Sequence, residues 1–327
     1  MASIILGLGT SHTPMLNVKR EEWPRFVESD PAIVPQRDKE GRVRTYDELL
    51  TLAPPSVRDW LNPGSFHARY DRAQAGIEKL RQVLARVRPD IIVIVGDDQR
   101  ELFDDSNTPP FLVYWGNDIV SHQIARHLPW DWYNLANTRN YDAEQRRYPV
   151  AKDLALKMID MLIGAGFDVA TSSGLSPGAG ENHAIGFVRQ RIMPDKAVPV
   201  VPILINTFYP PNQPLPRRCY AFGRVLRHAV ESWQEPARVA IVASGGLSHF
   251  TVDEELDRGF LDMLRRKDVT AFTEIPLAKL HAGNSEIRNW IAVAGAVENL
   301  ELHWYDYVPG YRTMAGTGTG IAFAIWE

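Results

Sequence analysis

Residues 4–9 read Ile-Ile-Leu-Gly-Leu-Gly, and residues 10–14, which follow, read Thr-Ser-His-Thr-Pro. An apolar, β-branched run that is closed by small residues predicts a buried β-strand. In an α/β sheet, ligands bind in the loops that leave the carboxyl ends of the strands. We therefore expect His12 to lie at the edge of the sheet where a site can form.

Two other interpretations of this stretch compete with a functional site. Gly7 and Gly9 begin a dinucleotide-binding fingerprint, but His12 stands where the third glycine is needed, and Pro14 makes a poor start for a phosphate-binding helix. A lone histidine at a strand end can also be purely structural. The choice depends on what the other strands of the chain bring to the same edge.

The composition is that of an ordinary globular protein, with 45% hydrophobic and 23% charged residues and a formal net charge of -4 over 327 residues. It does not predict a nucleic-acid partner. The apolar runs fall short of the ~18 residues that span a bilayer, and no signal peptide precedes the first strand, so we expect no membrane segment and a cytoplasmic location. The single cysteine, Cys219, excludes an internal disulfide and a thiolate cluster, so a metal would be bound through nitrogen and oxygen.

A strand–helix–strand unit follows the first strand. Apolar residues recur at helical spacing over 70–87, Pro89 ends that pattern, and residues 90–96 form a second buried strand. Such a unit implies parallel strands. The second strand leads into Asp97, Asp98 and Gln99, which places a second polar cluster at the edge that carries His12.

The same alternation continues to the end of the chain. Helices are predicted over 149–163 and 219–233, from 252, and from 285 with Ser285 as N-cap; strands are predicted at 110–115, 168–171, 198–205, 238–243, 301–307 and 318–326. The sequence therefore predicts one α/β catalytic domain over 1–327. Its expected fold has three layers, a mostly parallel central sheet with helices on both faces, and an active site at the strand ends.

Two irregular stretches are candidates for the walls of that site. Residues 17–66 are polar and broken by prolines, with short helices predicted at 46–52 and 56–61, and this excursion is expected to be a lid or pocket wall. The aromatic stretch 129–133 is too irregular for a core helix and is expected to line a pocket for a flat ring.

Three further polar residues lie at predicted loop edges. His183 comes at the end of a glycine-rich loop, and His249 lies just beyond the strand 238–243, after a Gly-Gly turn. Glu286 falls in the first turn of a predicted helix, where an acidic residue can also simply complement the helix dipole. Histidines and carboxylates with open coordination positions suit an Fe(II) oxygenase, a zinc hydrolase or a manganese enzyme.

Five motifs, in this order, resemble those of the class III extradiol ring-cleavage dioxygenases: Gly-Thr-Ser-His-Thr-Pro at 9–14, Val-Gly-Asp-Asp at 95–98, Glu-Asn-His at 181–183, Gly-Gly-Leu-Ser-His at 245–249 and Gly-Asn-Ser-Glu at 283–286. The resemblance spans nearly the whole chain. It is strongest to the catalytic β subunit of protocatechuate 4,5-dioxygenase and to single-chain enzymes of lignin-derived catechols. It implies Fe(II)-dependent cleavage of a catecholic, carboxylated ring with O2, in the catabolism of aromatic compounds. It also implies a homo-oligomer, and leaves open a second subunit.

The resemblance assigns roles to four residues. His12 and Glu286 would be metal ligands, His249 the acid–base group, and His183 a contact to the hydroxyl region of the substrate. A carboxylated substrate would need an arginine in the pocket. The candidates are Arg139, Arg146, Arg147 and Arg312.

The chain departs from the family at the second metal ligand, where Gln99 stands in place of the usual histidine. Gln99 can itself be this metal ligand through its amide oxygen, which is a weaker ligand for Fe(II) than imidazole. Asp98 is the first substitute, and Asp97, Glu101 and His67 are the others. If none of these residues binds the metal, the chain is a paralogue that lacks the activity. Such a paralogue would bind aromatic acids or support an active partner. A zinc hydrolase built on His12, Asp98 and His249 is a further alternative.

Overall fold

The computed structural model describes residues 1–33, 36–123, 128–281 and 283–327. The strands in these ranges are β1 (Ser3–Thr10), β2 (Gln36–Arg37), β3 (Val43–Arg44), β4 (Ile91–Gly96), β5 (Phe111–Tyr114), β6 (Asp118–Ser121), β7 (Arg146–Pro149), β8 (Ala170–Ser172), β9 (Val200–Ile205), β10 (Arg238–Ser244), β11 (Leu302–Tyr311) and β12 (Gly318–Trp326).

The α-helices differ widely in length. They are α1 (Phe26–Ser29), α2 (Tyr46–Leu52), α3 (Pro63–Val87), α4 (Asp131–Thr138), α5 (Lys152–Gly164), α6 (His183–Phe187), α7 (Pro216–Glu231), α8 (Glu254–Arg265), α9 (Val269–Thr273) and α10 (Ile287–Ala296). A π-helical turn, Val188–Ile192, extends α6, and 3-10 turns occur at Pro14–Leu16, Arg20–Arg25, Asp30–Ala32, Pro55–Trp60, Leu277–Leu280 and Gly283–Glu286. No helix in the described ranges is long and apolar enough to cross a membrane.

Eight strands form one sheet in the order β11-β12-β1-β10-β4-β9-β5-β8. The four strands β1, β10, β4 and β9 run parallel at its centre, and β12 and β5 join them antiparallel on either side. The parallel β1 and β4 therefore both end beside β10, at one edge of the sheet. The prediction that His12 and Asp97 share this edge follows from that order.

The apolar core lies on both faces of the sheet. Alternate residues of β4 enter opposite clusters: Val93 packs with residues of α5, α7 and α10, whereas Ile94 packs with residues of α3 and α6. A strand that is covered on both faces must be apolar at every position, which explains the unbroken apolar run in β4. The predicted three-layer α/β fold is confirmed.

Two glycines of β1 make room for the C-terminal helix. A Cβ atom on Gly9 would lie 2.3 Å from the ring of Trp290, and one on Gly7 would lie 2.8 Å from Val297 Cγ1. Such distances are too short for any side chain, so glycine is needed for α10 to pack directly against the strand. The glycines that resemble a nucleotide fingerprint therefore serve helix packing.

Most predicted helices and strands are confirmed to within a few residues, but two local predictions are wrong. The aromatic stretch begins α4, because Trp132 is buried edge-on against Phe26, with ring centroids 5.0 Å apart. Ser285 is not an N-cap. It lies inside the turn Gly283–Glu286, which directly precedes α10. Its hydroxyl is buried without a hydrogen-bond partner in the described part of the chain.

Candidate active site

Loops at the carboxyl edge of the central strands enclose a cavity of about 210 Å³. His12 follows β1, Gln99 follows β4, and His249 follows β10. His183 begins α6 and Glu286 ends the turn before α10. All five residues line the cavity, so the structure brings together the predicted site residues from five separate stretches of sequence.

The hydrogen bonds of His12 define which ring nitrogen faces the site. His12 is buried, and its Nδ1 lies 3.0 Å from Ser244 Oγ. The single hydroxyl hydrogen of Ser244 is donated to the carbonyl of Ala184 over 2.8 Å. Ser244 must therefore accept from His12 Nδ1, so Nε2 is the ring nitrogen that faces the site.

His183 is held in the same way by a carboxylate. Its Nδ1 lies 2.6 Å from Glu101 Oε2, and Tyr141 donates its hydroxyl to the other oxygen of Glu101 over 3.0 Å. A carboxylate accepts, so His183 Nδ1 donates and Nε2 is the nitrogen that faces the site. Nε2 of His183 then lies 3.2 Å from Nε2 of His12.

Two buried carboxylates lie beside these rings. Glu286 Oε2 is 3.4 Å from His12 Nε2 and accepts from the backbone of Gly246, and Asp97 Oδ1 is 4.0 Å from the same nitrogen. Burial, together with the charge of Glu286, raises the pKa of Asp97 to about 7. Burial also opposes ionisation of Glu286, but the charges of His249 and His12 hold its pKa well below the usual range.

His249 is placed as a proton donor. Its Nδ1 lies 3.0 Å from the carbonyl of Leu247, and its Nε2 lies 3.0 Å from Glu286 Oε1. Both partners are acceptors, so this geometry suits the doubly protonated ring. Burial works against that charge, but the Glu286 carboxylate prevails and raises the pKa of His249.

Gln99 has both ends of its amide engaged. Its Nε2 donates to Asp97 Oδ2 over 3.1 Å, and its Oε1 accepts from the Tyr209 hydroxyl over 3.2 Å. A second amide, Asn289, donates to the other oxygen of Asp97 over 3.0 Å. Gln99 therefore orients a carboxylate that the motif comparison treated only as a substitute.

The remaining substitutes for the second ligand lie in different places. Asp98 accepts from the backbone amides of residues 101–103 at 3.1–3.2 Å, so its carboxylate closes the loop after β4. Neither Asp98 nor His67, which lies on α3, is among the residues that line the cavity. Glu101 lines the cavity and binds His183.

The donor set fits a divalent cation. One ligand atom each from His12, Asp97 and His183 can be chosen such that all lie within 4.8 Å of one another, and Glu286 approaches His12 more closely than Asp97 does. Imidazole nitrogens with carboxylate oxygens are the ligands of Fe(II), Mn(II) and Zn(II) in proteins.

Of the four candidate arginines, only Arg312 lines the cavity. It is buried over the ring of Phe26, and its Nε lies 3.1 Å from Asp30 Oδ2 without hydrogen-bond alignment. Arg139 donates to the carbonyl of Asn17, and Arg147 pairs with the partly exposed Asp118.

The walls of the cavity come from distant parts of the chain. Ile33 belongs to the 17–66 excursion and Tyr133 to the aromatic stretch, and Phe208 and Phe250 complete the apolar lining. Sequence reasoning missed Phe208 and Phe250, and also Tyr209, which holds Gln99. Phe250 directly follows a predicted site residue, whereas no motif marks the 208–209 loop.

Comparison with known proteins connects this geometry to a family. Residues 53–322 match the family model described as the catalytic LigB subunit of aromatic ring-opening dioxygenase. Gallate dioxygenase of Pseudomonas putida is 36% identical over 143 residues, which cover 40% of this chain and 39% of that protein. The 2,3-dihydroxyphenylpropionate/2,3-dihydroxicinnamic acid 1,2-dioxygenase of Comamonas testosteroni is 28% identical over 205 residues, covering 63% of this chain and 54% of that protein. The chain thus spans between two fifths and just over half the length of these relatives.

Proposed function

Because the chain belongs to the family of the catalytic LigB subunit of aromatic ring-opening dioxygenases, we propose that it is an Fe(II)-dependent extradiol dioxygenase that opens a catecholic ring with O2. The observation that carries this proposal is the convergence of His12, Glu286 and His249 on one cavity at the strand ends. These are the metal ligands and the acid–base group that the resemblance implies.

His12 and Glu286 would hold the iron. Ser244 orients the ring of His12 so that its Nε2 faces Glu286, and the backbone of Gly246 holds the Glu286 carboxylate in place. Ligands whose other polar atoms are already bonded need little reorganisation when a metal binds. His12 and Glu286 would leave binding positions on that metal for the diol and for O2, which is the chemistry that iron would supply here.

His249 would move the protons of the reaction. It contacts Glu286 through Nε2 and faces the cavity, so it lies within reach of a substrate beside the metal ligands. After donating its proton, the neutral ring can accept one from a substrate hydroxyl. A group that titrates near neutrality is suited to both steps.

The cavity walls favour an aromatic acid as substrate. Ile33, Tyr133, Phe208 and Phe250 present apolar surface for a ring, and Arg312 offers a buried guanidinium to a carboxylate. The names of both relatives contain a hydroxylated aromatic carboxylate: gallate in one and 2,3-dihydroxyphenylpropionate in the other. We therefore assign the substrate to the carboxylated catechols, including those released from lignin. The cytoplasmic location and the homo-oligomer remain predictions.

The experiment that tests this function follows the oxygen atoms. Protein loaded anaerobically with Fe(II) is mixed with a carboxylated catechol under labelled O2, and the product is analysed by mass spectrometry. We expect a ring-opened product that contains both atoms of the labelled O2. A product that gains oxygen from water and contains no label from O2 would instead indicate a hydrolase. Substrate binding without iron or turnover would indicate a paralogue that lacks the activity.

A further inference from the structure

We propose that His183 is itself a metal ligand, supplying the second imidazole that the chain lacks at Gln99. The assignment goes beyond the family resemblance, which gives His183 only a contact to the substrate. It rests on the proposed function to the extent that a divalent cation occupies this site. The set of ligands would be His12, His183 and Glu286, with Asp97 held beside them by Gln99.

Two ring nitrogens face each other in the site. Ser244 and Glu101 engage the Nδ1 atoms of His12 and His183, so each ring presents its Nε2 to the other. The two Nε2 atoms lie 3.2 Å apart. Imidazole nitrogens this close share either a proton or a metal ion, and a metal titration distinguishes the two.

The spacing of the donor atoms also fits a shared metal ion. A metal ion binds imidazole nitrogen at about 2.1 Å, so neighbouring ligands around one ion lie roughly 3.0–3.4 Å apart in octahedral or tetrahedral geometry. The distance from His12 Nε2 to His183 Nε2 is 3.2 Å, and that from His12 Nε2 to Glu286 Oε2 is 3.4 Å. Both distances match neighbouring ligands on a shared ion.

The ring of His183 is supported from behind by a carboxylate. A metal-binding histidine usually donates its other ring N–H to a carboxylate or carbonyl, which orients the ring and increases its basicity. Glu101 provides this carboxylate at 2.6 Å and is itself held by Tyr141. Asn182, the residue before His183, connects the start of α6 to the loop after β4, because it donates to the carbonyl of Asp97 over 2.6 Å.

Gln99 lacks the freedom that a ligand in this position needs. Its amide oxygen already accepts from Tyr209, and its amide nitrogen donates to Asp97. Turning the oxygen toward a metal would disturb this arrangement, whereas His183 Nε2 already lies 3.2 Å from His12 Nε2. The second imidazole ligand therefore lies at the start of α6 and not in the loop after β4.

The test compares metal binding by matched variants of the full chain. Metal-free protein is titrated anaerobically with Fe(II), and separately with Co(II), whose visible absorption reports nitrogen ligands. We expect His183→Ala to weaken binding by a factor on the order of 100 or more and to change the Co(II) spectrum. Gln99→Ala, in the neighbouring loop, should weaken binding less than His183→Ala does, because it removes a support of Asp97 but no ligand. His228→Ala, at an exposed position of α7, is the control and should leave the affinity unchanged.

A second variant guards against misfolding of His183→Ala. Glu101→Gln keeps the ring and removes only the charge behind it, so it should weaken metal binding by about 10–100-fold. Circular dichroism and thermal unfolding of the metal-free forms check that each variant folds. Loss of metal in a folded Glu101→Gln protein supports ligation by His183.

Two results would overturn the assignment. The first is wild-type affinity in folded His183→Ala, above all if Gln99→Ala has lost the metal. The second is wild-type protein that binds no cation, since a shared proton would then account for the contact between His12 and His183. Failure of the assignment differs from failure of the proposed function: metal that depends on His183 without O2 consumption contradicts only the dioxygenase, whereas turnover in His183→Ala with bound iron contradicts only the assignment.

Discussion

Gln99 donates a side-chain hydrogen bond to Asp97 over 3.1 Å, so the residue that departs from the family pattern supports a carboxylate inside the site. Gln99 therefore belongs to the hydrogen-bond network that holds Asp97. With the Gln99 oxygen accepting from Tyr209, the loop after β4 is still tied to the wall of the cavity.

Glu286→Gln is expected to reduce metal affinity by a factor on the order of 100 or more, because it removes the charge that faces His12 at 3.4 Å. Metal content after dialysis and calorimetric titration measure the effect. Asp98→Asn is the control, since its carboxylate binds backbone amides of its own loop. Full metal occupancy in Glu286→Gln, with loss in Asp98→Asn, would reverse the choice of carboxylate.

His249→Asn is expected to retain iron and substrate binding and to lower kcat by about 10²-fold or more, because the variant cannot shuttle a proton. Stopped-flow turnover and a substrate titration separate the two effects. His228→Asn serves as control, because His228 lies exposed on α7. Turnover at the wild-type rate in His249→Asn would remove His249 from the mechanism.

Arg312→Gln is expected to raise KM for carboxylated catechols by about 10–100-fold, since a hydrogen bond to a charged group contributes roughly 1.5–3 kcal/mol. KM for unsubstituted catechol should change far less. The variant also leaves the buried Asp30 without its guanidinium partner. Any strain that results affects both substrates, so the ratio of the two KM values corrects for it. Arg147→Gln, on the exposed strand β7, should leave both constants unchanged. Equal increases for both substrates would show that Arg312 does not bind the carboxylate.

Glu181→Gln is expected to destabilise the protein by about 3–5 kcal/mol, because it leaves the fully buried Arg189 guanidinium without its anion. The control, Asp118→Asn, breaks a partly exposed pair and should cost about 0–1 kcal/mol. Denaturant unfolding of the metal-free protein gives both free energies. A small, equal loss in both variants would mean that the buried pair does not stabilise the loop that carries His183.

The sequence predicts the strands that carry the site better than it predicts their contacts. The apolar runs of β1 and β4 and the small residues after them are local signals, so the edge location of His12 and Asp97 follows from them directly. That β10 lies between these strands is a property of the whole sheet. The approach of His183 to His12 depends on this order and on the turn into α6, and no local pattern contains either.

The two local errors have the same origin in tertiary packing. The helix α4 forms over an irregular aromatic stretch because Trp132 is buried against Phe26 of a distant segment. Glu286 binds Gly246 and His249, which places the turn that contains Ser285 at the site. The helix therefore begins later than its capping signal predicts. In both cases, burial against residues far along the chain prevails over a local preference.

The most direct test of the proposed function is O2 uptake by protein reconstituted with Fe(II), measured against added carboxylated catechol in an oxygen electrode. We predict one O2 consumed per catechol, with uptake absent when iron is omitted and lost in Glu286→Gln. Conversion of the catechol without O2 consumption, or no uptake with any catecholic acid despite bound iron, would contradict the assignment of this chain as an extradiol dioxygenase.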